Sequence, residues 1–166
     1  MASDFAVIIA GDLFDGERVK TNTVETILDA IRRTPEVDYL YLAGNHDNAA
    51  HVFSDRELPK NLKQFGREWR TYRYDDVTIS GIEIFSENAS SLYQNIPNEN
   101  DCVNIISLHG QNGTTCGVDK INLNLLQNKG IDYLALGHIH SYSSKRLDSN
   151  GIYCYSGCLE GRGFDE

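Results

Sequence analysis

The sequence predicts an α/β fold built on a largely parallel sheet, and three observations carry that reading. Four apolar runs, Phe5–Ala10 and residues 39–43, 103–108 and 131–136, are near-continuous rather than alternating, as strands buried on both faces are. Amphipathic stretches with helical spacing separate the first run from the second and the third from the fourth. Every run stops at glycine or at a histidine followed by glycine, where the chain turns polar.

At 166 residues, 40% of them hydrophobic, the chain can bury one core but not two, so residues 1–166 read as a single domain. Phe5–Ala10 is the first strand, ended by Gly11. Val24, Ile27, Leu28 and Ile31 recur at helical spacing over residues 23–33, and Thr34-Pro35 stops that helix. Residues 39–43 form the second strand, and residues 52–65 read as partly helical. Two strands over 69–74 and 77–85, joined by Asp75-Asp76, follow, then a polar loop over 88–101 with one helical turn. The third buried strand is 103–108. A short helix from residue 119 or 120 to 128 is stopped by Gly130 before the fourth, 131–136. Antiparallel pairs are expected within 69–85 and within 142–155.

Charge narrows the function. Fifteen Lys and Arg against 24 Asp and Glu give −9, which excludes a protein held to nucleic acid mainly by a basic surface. Lys60, Lys63, Arg67, Arg70 and Arg73 form a local basic cluster, read as a solvated helix face. No run approaches the roughly 20 apolar residues of a membrane span, and the first residues lack a signal-peptide pattern. A soluble cytoplasmic protein with no membrane partner is expected. Cys102, Cys116, Cys154 and Cys158 are then free thiols; the last two could offer thiolates to zinc, but no second pair with ligand spacing accompanies them.

Five residues, Asp12, Asn45, His109, His138 and His140, fall in four motifs that each follow a strand's last apolar residue: Gly11-Asp12-Leu13-Phe14-Asp15, Gly44-Asn45-His46-Asp47, Leu108-His109-Gly110 and Gly137-His138-Ile139-His140. In open α/β sheets ligands bind at that edge, so residues distant in sequence converge there. A carboxylate, an amide oxygen and imidazoles make a mixed O/N shell suited to Mn, Fe, Zn or Ni. Two such ions about 3.5–4 Å apart clamp phosphoryl oxygens and lower the pKa of a water held between them. Singly, Gly-His-x-His reads as two hydrogen-bonded histidines and Gly-Asp-x-x-Asp as a turn. The joint pattern takes in four of the five histidines and leaves out only His51, read as structural.

These motifs, in this order, resemble the calcineurin-like metallophosphoesterase superfamily. Gly11-Asp12-Leu13-Phe14-Asp15 and the tail from Ser156 to Glu166 look most like its SbcD-type DNA repair exonuclease branch. The resemblance implies a layered sandwich of mixed β-sheets flanked by helices. It implies that Asp12 bridges two metals, manganese first among the candidates, with Asn45, His109 and His138 completing one shell and His140 reaching the other ion. His46 would stand near the leaving group as acid or charge stabiliser, Asp47 would orient its ring, and Asp15 would support a ligand from behind or form the turn. No Ser or Cys nucleophile is required if the attacking group is a metal-held hydroxide. A phosphate-ester substrate, nucleic acid included, and an ATPase partner are implied in the same way.

The family's opening Asp-x-His motif has no match. Asp4 lies eight residues before Asp12, about 26 Å along an extended strand, and belongs at the other end of the sheet. One metal site is therefore expected to be well formed and the second incomplete, with a domain truncated at both ends, impaired hydrolysis and self-association through uncovered sheet. Phosphodiesterase or nuclease-like hydrolysis leads. A phosphomonoesterase or small cyclic-nucleotide phosphodiesterase, and a non-catalytic metal-binding or interaction module, remain the alternatives.

Overall fold

The computed structural model describes residues 5–14, 19–45, 47, 53 and 56–158. The first apolar runs become β1 (Phe5–Ala10) and β2 (Val37–Leu42), parallel and in register from Phe5 opposite Val37 to Ala10 opposite Leu42. Helix α1 (Thr21–Arg32) crosses between them, and β3 (Leu62–Gln64) extends the sheet parallel to β2. Strand alternation sorts the side chains of β2. Tyr39 and Tyr41 pack toward Val24, Leu28 and Ile31 of α1, whereas Leu40 and Leu42 face the opposite way.

A larger sheet lies on that opposite face. Its strands are β4 (Arg70–Tyr74), β5 (Val77–Gly81), β6 (Val103–His109), β9 (Tyr133–Gly137), β10 (Ser143–Arg146) and β11 (Ile152–Tyr155), with a small parallel pair, β7 (Gln111–Asn112) and β8 (Lys120–Ile121), beside it. The order is β10-β11-β9-β6-β5-β4, parallel at its centre and antiparallel at both ends, where β4 meets β5 and β10 meets β11. Leu40, Leu42, Phe65 and Ile79 fill the space between the sheets. Each such side chain contributes about 1.5–3 kcal/mol when fully buried, so this thin layer holds the two sheets face to face. The outer face of the larger sheet, Ile106, Leu108, Leu134 and Leu136, is covered by Ile121 of β8 and by loop residues that include Leu126 and Ile131. The architecture is the predicted mixed α/β sandwich, with fewer helices among the described residues than the sequence suggests.

Buried Asn61 secures the turn from α1 to β2. Its Nδ2 shares its two hydrogens among the carbonyls of Ile31, Thr34 and Val37, at 2.9, 3.0 and 2.9 Å, and so ties the end of the helix to the start of the strand.

Four local expectations are corrected. β1 is not buried on both faces: among the described residues it is the edge of the smaller sheet, with Phe5 65% and Val7 44% exposed. Residues 119–128 hold no α-helix but β8 and a 3-10 turn at Leu123–Leu125, where the Asn122 side chain accepts from the Asn124 N–H and competes with helical bonding. Described residues between 52 and 65 contain β3 and no helix. The basic cluster is no helix face either, since Lys63 pairs with Asp38, Arg73 with Glu99, and Arg70 donates to the Gln64 carbonyl at 2.8 Å. All four cysteines are free, and no helix among the described residues is long and apolar enough to cross a membrane.

Candidate metal centre

Ala10, Leu42, His109 and Gly137 are the last residues of β1, β2, β6 and β9. Because β1 packs across β6 and β9, the C-terminal edges of both sheets meet at one place, and the four motifs leave from it. That approach depends on glycine. A Cβ on Gly137 would fall 1.7 Å from the Ala10 carbonyl oxygen, and one on Gly11, whose φ is +91°, would fall 2.1 Å from His109 Nδ1. The space these glycines leave is filled by backbone and by the donor residues themselves.

His109, buried at 4% exposure, is the centre of the cluster. Its Nδ1 lies 2.8 Å from the Ala10 carbonyl, which can only accept, so Nδ1 carries the proton and Nε2 of the neutral ring presents a lone pair. Nε2 lies 2.9 Å from Asn45 Oδ1, 3.3 Å from Asp12 Oδ2 and 3.3 Å from His138 Nδ1. His138 Nδ1 is in turn 3.1 Å from Asn45 Oδ1. Four atoms able to act as ligands thus converge at hydrogen-bonding distance, an arrangement that a shared proton or a cation among them satisfies. The protein's own response is visible at His109: burial opposes protonation, yet Asp12, the Ala10 carbonyl and Asp47 outweigh it and raise the ring's pKa above the ordinary histidine value.

These separations suit a divalent ion. Donors each about 2.1 Å from one metal stand roughly 3.0 Å apart at right angles and 3.4 Å apart in a tetrahedron, and the observed spacings fall within or beside that interval. Asp12, His109 and His138 offer ligand atoms that all lie within 4.8 Å of one another. Asp12 and His138 hold φ values of 54° and 90°, in the left-handed region that L-residues adopt at a cost of about 1–3 kcal/mol, a strain that clusters at functional sites.

Asp47 fastens two of the motif loops together. Its carboxylate accepts from the backbone N–H groups of Leu13 at 3.1 Å, Phe14 at 2.8 Å and Gly44 at 3.1 Å. This clasp fixes the backbone just after Asp12 and just before Asn45, a role the motif spacing alone does not reveal. Beneath it, burial first and then the Asp47 charge raise the Tyr41 phenol's pKa far above its ordinary value. Asp4, Asp15, His46, His51 and residues 159–166 lie outside the described residues. His140 is exposed and is not part of the tight cluster; it lines, with Asp12 and Cys158, a separate cavity of about 140 Å³.

A second, larger cavity of about 390 Å³ opens directly from Asn45 and His109. Its far wall carries Arg67, Glu83, Phe85, Val118 and Asp119, none of which any motif marks. Burial raises the Glu83 pKa, opposed by the Ala43 N–H and by Arg67.

The family model for calcineurin-like phosphoesterases matches residues 3–142, a span that includes all four motifs. No curated protein matches the chain.

Proposed function

The chain belongs to the calcineurin-like phosphoesterase family, whose chemistry is metal-dependent hydrolysis of phosphate esters, and on that footing we propose that it hydrolyses phosphodiesters at the cluster of Asp12, Asn45, His109 and His138. The observation that carries this reading is the convergence of Asn45 Oδ1, Asp12 Oδ2 and His138 Nδ1 at 2.9, 3.3 and 3.3 Å from His109 Nε2, a donor set that suits a bound cation. A divalent transition metal there, manganese first with iron, zinc or nickel also fitting the donors, would acidify water and neutralise charge on the phosphoryl oxygens.

The remaining roles belong to the chain's own groups. The Ala10 carbonyl holds His109 in the tautomer that leaves Nε2 available. Asp47 positions the loops that carry Asp12 and Asn45. His46, next to Asn45, delivers a proton to the leaving oxygen, and Asp15 supports the first loop. Asp12 and His140, which line the smaller cavity together, serve a second, weaker ion, because His140 is exposed and stands outside the tight cluster around His109. Residues 1–166 act as one domain in this scheme.

Cations paired off one by one with Asp38, Glu99 and backbone oxygen favour a small diester over a long nucleic acid. Manganese is expected to raise hydrolysis of bis-p-nitrophenyl phosphate, and His46→Ala to lower it at least about 100-fold, the usual loss for a proton donor. Equal rates in the variant contradict the role given to His46. Rates on DNA at or above those on the small diester contradict the substrate size.

Self-association belongs to the same reading and is supported by the apolar β1 edge, where Phe5 and Val7 are exposed. Sedimentation velocity is expected to show a species that grows with concentration, and a monomer at every concentration contradicts it.

A further inference from the structure

We infer that the cavity beside the metal cluster is a leaving-group site for an uncharged aromatic group that carries a hydrogen-bond donor, the chemical class of a nucleoside. The inference rests on the phosphoesterase reading and extends it to the substrate's organic half.

Size and position come first. At about 390 Å³ the cavity falls within the range of small-molecule sites, and it starts at Asn45 and His109, so a phosphate ester held at the cluster would project its ester group into it. Its lining holds an aromatic ring and a cation together. The Arg67 guanidinium lies over the Phe85 ring, 4.1 Å from carbon to centroid, a cation–π stack within the lining. That stack is braced rather than loose. Asn88 donates to the Arg67 and Glu83 carbonyls at 3.2 and 2.8 Å and accepts from the Phe85 N–H at 2.8 Å, while the Glu83 N–H donates to the Gly66 carbonyl at 2.8 Å.

Chemistry of the lining then restricts the occupant. Ile84 and Val118 supply apolar surface, and Asp47, Glu83 and Asp119 set three carboxylates against the one Arg67 guanidinium. A group with a further negative charge would be repelled, whereas an uncharged ring would be stacked and shielded. Asp119 Oδ1 is buried and meets no hydrogen-bond donor among the described residues. A buried oxygen of this kind costs about 1–3 kcal/mol when unpaired, and a hydroxyl or amino group on the occupant would supply its partner.

Equilibrium binding to the manganese-loaded chain separates this inference from its premise. The probes are adenosine 5′-monophosphate and ribose 5-phosphate, which share a phosphate and a sugar and differ in the base. The mononucleotide is expected to bind at least about tenfold more tightly. Phe85→Ala and Arg67→Ala erase that preference, while Arg73→Ala, which removes the same charge from the Glu99 pair on β4, retains it. Equal binding of both probes by the unmodified chain, or a preference that survives both cavity variants, overturns the leaving-group site and leaves the phosphoesterase reading intact. Failure of both probes and of inorganic phosphate to bind overturns the two together.

Discussion

Gly137→Ala is expected to lose about 3 kcal/mol of unfolding free energy, or more. The added methyl would stand 1.7 Å from the Ala10 carbonyl oxygen and 2.9 Å from His109 Nδ1, which is itself bonded to that oxygen at 2.8 Å. Neither neighbour is a flexible tip that can swing aside. Ala10 is tied into β1 by its register with Leu42, and Gly137 is paired with His109 across β6 and β9. Relief therefore requires the two sheets to part at the edge where the motifs meet, against the layer of Leu40, Leu42 and Ile79 that holds them together. Overpacking of a rigid contact usually costs about 1–3 kcal/mol, and a clash with backbone belongs at the top of that range. For a chain of this length 3 kcal/mol corresponds to a fall of roughly 6–12 °C in melting temperature. Thermal or urea unfolding measures it. A variant that melts within about 2 °C of the unmodified chain contradicts the close approach of β1 to β9.

Asp12→Asn carries the second large effect, on metal rather than on the apo fold. The substitution keeps the shape of the side chain and removes its charge from a group 3.3 Å from His109 Nε2. Replacing even a residue that only supports a metal ligand typically costs 10–100-fold in affinity, so a direct donor is expected to cost at least about 100-fold. Manganese at 100 times its dissociation constant stabilises a folded protein by about 2.7 kcal/mol. Nearly all of that gain should vanish in Asp12→Asn, together with hydrolysis of bis-p-nitrophenyl phosphate. The apo variant should unfold close to the unmodified chain, because the carboxylate is partly exposed and the amide keeps its shape. A manganese-induced gain in stability that persists undiminished in the variant removes Asp12 from the site.

Much of this arrangement is legible in the sequence because strand ends announce themselves. Phe5–Ala10 is found with the bounds its apolar run suggests, and His109 and Gly137 close β6 and β9 where apolar runs stop. Both antiparallel pairs follow from alternating strands joined by short turns. Where the reading departs from the structure, tertiary context decides. β3 is only Leu62–Gln64, two of its three residues polar, and it is a strand because β2 offers a free edge to it. Residues 121, 123 and 126 bury Ile121, Leu123 and Leu126 through a strand and a tight turn, a spacing that can be mistaken for one face of a helix.

The same division holds at the site. Asp12, Asn45, His109 and His138 stand out in the sequence because glycine and a strand end accompany each, and their side chains converge on His109 Nε2 within 3.3 Å. The clasp made by Asp47 reaches 33 and 34 residues back along the chain, which no local pattern encodes. Arg67, Phe85 and Asp119 come from three separate loops, and only the packing of the second sheet places them around one cavity. The basic cluster shows the converse: proximity in sequence suggested a shared surface, and β3 and β4 send its members to different partners.

Whether the cluster is a metal centre is decided by the metal content of the purified chain after manganese loading and exhaustive dialysis, measured beside Asp12→Asn. The cluster around His109 predicts about one tightly held equivalent per chain that is lost in the variant. Retention of less than about half an equivalent by the unmodified chain, or equal retention by both, would contradict a metal centre built from Asp12, Asn45, His109 and His138.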